Sequence, residues 1–86
     1  MTDIPGYWMN ETSGVLRPAV MAYLEGSRMT PDQIAAMRAY LRQWIMAPGF
    51  IGPAVQRLRE AIDRIATQAD IREWIIDAAY DGIDPL

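Results

Sequence analysis

Apolar residues recur along this chain at intervals of three and four, the period of one face of an α-helix, and nowhere alternate in the two-residue period of a strand. Val15, Leu16, Ala19, Val20, Tyr23 and Leu24 make the first run. Ser13 can cap it and Gly26 can end it in the left-handed conformation open to glycine, which predicts a helix over about 14–25. Pro18 strains this reading. It lacks an amide hydrogen just past the positions where that loss is free, so the helix starts later or bends there.

The second run has the clearest start in the sequence. Thr30-Pro31-Asp32-Gln33 places a capping hydroxyl, a proline at the first helical position and a glutamine at the third, the pattern of a capping box. Ile34, Met37, Leu41, Trp44 and Ile45 then form one stripe, Arg38 and Arg42 share a different face, and Pro48-Gly49 stops the helix near residue 46. Gly52-Pro53 opens a third helix over about 53–66, with Val55, Leu58, Ile62 and Ile65 on its apolar side. Arg59 with Asp63, and Glu60 with Arg64, are spaced to pair across one turn.

Thr67-Gln68-Ala69-Asp70 repeats the capping logic and starts a fourth helix over about 68–80, with Ile71, Trp74, Ile75 and Ala78 toward the core. Gly82 ends it and Pro85 prevents its return. A single helix over 53–80 is the alternative. The pattern therefore predicts an all-α fold, a compact bundle of about four short helices in one domain, preceded by an irregular arm over residues 1–12. Pro5-Gly6 marks a turn in that arm, and Trp8 is expected to pin it. Trp8, Trp44 and Trp74 are the expected large core residues, with contact to a partner as the alternative for one of them. No heptad is sustained enough for a long coiled coil. Met9, Met21, Met29, Met37 and Met46 add adaptable apolar volume, read first as core filling and second as an interface.

Composition narrows the chemistry more than the fold. The 86 residues contain no Cys or His, and all eight basic side chains are Arg. Disulfides and thiolate sites are excluded, and the usual general bases, Schiff-base formers and most transition-metal ligands are missing. The chain is expected to be non-catalytic and to carry no cofactor or metal. The all-arginine usage is read as coding bias, or as selection for bidentate contacts. No basic segment followed by an apolar stretch opens the chain, and the most apolar stretch, Trp44 to Val55, is short and broken by Pro and Gly. The expectation is a cytoplasmic protein with no membrane span.

The net charge of −3 is unevenly placed. Residues 1–16 carry −2, residues 17–64 carry +3, and residues 65–86 carry −4. In the last segment Asp70, Glu73, Asp77, Asp81 and Asp84 are spaced three, four, four and three apart, which a helix gathers on one face. Asp77 and Asp81 fall near a helix C-terminus, where the macrodipole disfavours them. The stripe breaks a local rule without compensation in its own segment, and such breaks occur at functional positions. It is read as a solvated face, as a docking face for a basic surface, or as a hard-cation site lacking the spacing of a calcium loop.

Arg38, Arg42, Arg57, Arg59 and Arg64 could form a basic patch across the second and third helices. Surface solubility and pairing explain them first, and nucleic-acid binding second. The overall acidity and an over-long second-to-third connection argue against a helix-turn-helix, and phosphate would repel the most acidic helix. In size, acidity and lack of catalytic residues the chain resembles the small accessory proteins of phages and mobile elements, among them anti-CRISPR proteins. That resemblance implies a protein that blocks or adapts a larger machine. The expected function is docking of the Asp70, Glu73, Asp77, Asp81 and Asp84 face onto a protein partner with a basic surface. A homodimer, and direct nucleic-acid binding through the arginines, are the alternatives.

Overall fold

The structure, a computed structural model, describes residues 14–86. Among them are four helices: α1 (Leu16–Glu25), α2 (Pro31–Ile45), α3 (Pro53–Ile62) and α4 (Gln68–Tyr80). No strand occurs among the described residues, and the fold is the expected all-α bundle. The arm, Trp8, Met9 and the Ser13 cap lie outside the described residues.

Each helix end follows from local chemistry. α1 begins at Leu16 after Val15, later than residue 14, and this resolves the Pro18 problem. Pro18 becomes the third helical residue, one of the first four, whose amides have no intrahelical acceptor. At the other end Gly26 takes φ 76°, its amide donates to the Tyr23 carbonyl, and Ser27 N donates to Ala22 O at 2.9 Å. That pair of bonds is a Schellman motif. Thr30 and Gln33 form the capping box of α2, with Gln33 N to Thr30 Oγ1 at 3.1 Å and Thr30 N to Gln33 Oε1 at 3.0 Å.

α3 stops at Ile62, short of the expected residue 66 and separate from α4. Its last turn tightens, with Arg64 N donating to Ala61 O at 3.0 Å and Ile65 N to Ile62 O at 3.3 Å. Thr67 must be extended to cap α4, so the helix cannot run through it. The period overshot because Ile65 is buried from the connection, at a spacing that also fits a continuing helix. α4 ends in a second Schellman motif. Gly82 sits at φ 76°, Ile83 N donates to Ala78 O at 3.0 Å, and Ile83 packs down as the motif's apolar residue.

α2 is the centre of the bundle. α1 and α3 pack on it, α3 packs on α4, and α4 returns to α2. Met37, Leu41 and Ile45 of α2, Leu58 and Ile62 of α3, and Ile71 of α4 are fully buried together with Val20 and Pro85. Trp74 is buried, and its indole donates to Leu58 O at 3.0 Å, so the ring's one polar atom is satisfied inside the core. Trp44 is half-buried and tilts against Phe50, with centroids 4.6 Å apart. Met29 and Met37 fill the core, whereas Met21 and Met46 are exposed.

Among the polar contacts that tie the bundle are those of Tyr40, Gln68 and Arg59. The Tyr40 hydroxyl donates to the Pro85 carbonyl and holds the final residues over the core. Gln68 clasps the α1–α2 connection, accepting from Met29 N at 2.8 Å and donating to Ser27 O at 2.7 Å. Arg59 reaches past its own helix to the end of α2, donating to Ile45 O at 3.0 Å, Phe50 O at 3.1 Å and Ala47 O at 3.3 Å.

Candidate docking face on α3 and α4

The acidic stripe of α4 divides into parts with different surroundings. Asp70 is the third residue of α4 and completes its capping box. Its Oδ2 accepts from Ala66 N at 2.9 Å and Thr67 N at 3.0 Å, while Asp70 N donates to Thr67 Oγ1 at 3.2 Å. The backbone bonds from Ala66 and Thr67 hold the Asp70 carboxyl below the usual carboxylate range. Asp77 and Asp81 face Arg57 of α3, whose Nη2 lies 3.4 Å from Asp77 Oδ1 and 3.2 Å from Asp81 Oδ2. The compensation missing from the segment itself therefore comes from the neighbouring helix. Asp84 lies beyond Gly82, outside the helical register, and accepts from Leu86 N at 3.2 Å. Glu73 is exposed and makes no ion pair among the described residues.

Asp70, Glu73 and Asp77 are brought together in a cleft of about 230 Å³ between α3 and α4. Ala61, Ile65 and Trp74 supply its apolar lining and Arg64 its one cation. Asp81 joins this edge through Arg57, and Asp84 is not part of the cleft. No group of three or more His, Cys, Asp or Glu among the described residues is placed to hold a metal ion.

Four of the five arginines of the candidate basic patch donate within the chain. Arg38 donates to Ile65 O at 3.2 Å, Arg42 pairs with Asp63, Arg57 bridges Asp77 and Asp81, and Arg59 binds the three carbonyls at the end of α2. The Arg59–Asp63 pair is replaced by Arg42–Asp63, and Glu60 accepts from Gln56 at 3.3 Å instead of pairing with Arg64. Carbonyls outside α3 displace Asp63 as the partner of Arg59, because the connection brings α3 alongside α2. The Arg64 guanidinium alone of the five has no acceptor among the described residues.

A second concavity was not foreseen. Tyr23, Leu24, Glu25 and Gly26 from the end of α1, with Gln68, Ala69, Arg72, Glu73 and Ile76 of α4, line a groove of about 870 Å³. Burial pushes the Tyr23 hydroxyl above its ordinary value, and the Arg72 charge opposes that shift. Leu24 belongs to the apolar run of α1 yet turns outward, 55% exposed, and Ile76 is 46% exposed. The available signal was Ile76 itself, an apolar residue outside the α4 core stripe.

Among the described residues no helix is long and apolar enough to cross a membrane. No protein-family model, curated protein or solved structure matches this chain.

Proposed function

We propose that this is a non-catalytic protein-binding module that docks the α3–α4 edge of its acidic face onto a basic surface of a larger protein or nucleoprotein assembly. The observation that carries the reading is the cleft in which three carboxylates meet a single arginine above Trp74. Glu73 is free there to accept an incoming guanidinium or ammonium. The Arg57 bridge to Asp77 and Asp81 is about half exposed, and such pairs contribute only about 0–1 kcal/mol, so a partner's arginine displaces it at small cost. Asp70 is committed to its cap and contributes charge rather than a free acceptor, and Asp84 stands at the periphery.

Small size, acidity and a lack of catalytic side chains suit a cytoplasmic accessory or inhibitor protein of a phage or mobile element, of the anti-CRISPR kind. Direct nucleic-acid binding has weaker support, because Arg38, Arg42, Arg57 and Arg59 already donate within the chain.

The test begins with a partner captured from lysate of the source cell or its host and then purified. Binding to the intact chain should weaken as salt rises, as contacts between exposed charges do. Reversing Asp77 and Asp81 would set new cations against Arg57, so the informative variant is Glu73→Arg with Asp77→Asn and Asp81→Asn. It should bind about tenfold or more weakly and keep the wild-type circular dichroism. Equal affinity for variant and wild type refutes the acidic edge as the contact.

A further inference from the structure

We infer that the groove between α1 and α4 is the contact surface for a second copy of this chain, joined about a two-fold axis. α1 and α4 both rest on α2 and form no seam of similar extent with each other, which leaves the groove open along their outward sides. Leu24 of α1 and Ile76 of α4 both line it. Met21, three residues before Leu24, and Tyr80, four after Ile76, extend the apolar stripe along each helix, at 41% and 85% exposure. Single exposed apolar side chains are ordinary. Leu24 and Ile76 lie in one groove and each has an exposed apolar neighbour one turn along its own helix, a larger apolar surface than isolated residues make, and such surfaces mark contacts.

The charges along the rim select the occupant. Glu25, Arg72 and Glu73 line the groove, and none makes an ion pair among the described residues. A uniformly basic partner would meet Arg72, and a uniformly acidic one would meet both glutamates. A surface carrying the same mixed pattern complements it, and a two-fold axis supplies that surface by setting each patch against its own copy. Arg72 of each copy then faces carboxylates of the other, while Leu24 and Ile76 are covered on both sides. This surface lies on the α1 side of α4, opposite the α3 edge proposed above for a foreign partner, with Glu73 between them. Glu73 lines both, so dimerisation and partner docking are separated through Leu24 and Ile76, which line only the groove.

Sedimentation equilibrium of the full chain from micromolar to millimolar concentration tests the inference. The mass should rise from 9.7 kDa toward twice that value. Leu24→Arg and Ile76→Arg should each hold it at the monomer mass with unchanged circular dichroism. Both positions are solvent-exposed, so the substitutions leave the core intact. Arg72→Glu should weaken self-association, and mixing it with Glu25→Arg/Glu73→Arg should restore a heterodimer. A wild type that stays monomeric throughout, or a dimer that both apolar variants still form, overturns the proposal. Failure of the mixed charge variants to associate overturns the two-fold arrangement. Leu24→Arg and Ile76→Arg leave the acidic edge untouched, so partner capture by these variants reads the earlier proposal independently.

Discussion

Replacing Arg59 by methionine tests whether one side chain secures the end of α2. The last four carbonyls of a helix lack intrahelical donors. In α2, Arg42 O and Trp44 O receive amides from the following residues, and Ile45 O receives Arg59 Nε at 3.0 Å. The same guanidinium holds Ala47 O and Phe50 O, so it fixes the connection that carries Phe50 against Trp44. Hydrogen bonds from a charged group contribute about 1.5–3 kcal/mol, and a half-buried fork of this kind belongs near 2. A cation beside a helix C-terminus adds roughly 0.5 kcal/mol. Arg59→Met should therefore cost about 2–3 kcal/mol, which in a domain of this size lowers Tm by roughly 10–20 °C. Arg59→Lys retains the charge but not the fork, and should recover at most about 1 kcal/mol. Arg42→Met is the matched control. Its exposed pair with Asp63 should contribute about 0–1 kcal/mol. Chemical denaturation measures the stability of all three variants. An Arg59→Met protein within about 0.5 kcal/mol of Arg42→Met would show that water replaces the guanidinium without loss, and the reasoning would fail.

Two further predictions concern stability. The Asp70 carboxyl is held below its ordinary pKa by the Ala66 and Thr67 amides, so it stabilises the fold above the unfolded value near pH 4 and loses that effect as pH falls through the lower folded value. Wild type should exceed Asp70→Asn in stability at neutral pH, with the gap closing in acid. A gap that persists unchanged to pH about 2 would exclude the charge as its source. Tyr40→Phe should cost about 1–2 kcal/mol by leaving the buried Pro85 carbonyl without its hydroxyl donor. Thermal unfolding with a loss below a few tenths of a kcal/mol would mean that water enters to satisfy it.

What could be read in the sequence was what is decided within about five residues. Both capping boxes, Thr30 with Gln33 and Thr67 with Asp70, lie where the residue order places them, since donor and acceptor share one turn. The apolar stripes of α2, α3 and α4 point to the core for the same reason. The Arg59–Asp63 pairing fails because only intrahelical neighbours are visible at that level, whereas the acceptors of Arg59 are carbonyls of α2 and the connection after it. Arg57, which compensates Asp77 and Asp81, precedes them by 20 and 24 positions. The stripe of five carboxylates was visible as a spacing, but the cleft that collects three of them depends on how α3 and α4 cross. Leu24 is legible only as part of the apolar run of α1, because its place in one groove with Ile76 depends on how α1 and α4 lie together.

The Gln68 clasp bears on how the molecule opens. Most packing joins helices adjacent in the chain, an arrangement of low contact order that folds rapidly. The return of α4 to α2 is the main exception, and Gln68 fastens it by holding Ser27 O and Met29 N from 41 and 39 positions away. Releasing the start of α4 therefore frees the α1–α2 connection in the same event. Amide exchange should show this in an unexpected place. Met29 N–H lies in a connection, where exchange is ordinarily quick, yet it is held by a side chain at the start of α4. It should exchange more slowly than in Gln68→Ala, where that acceptor is removed.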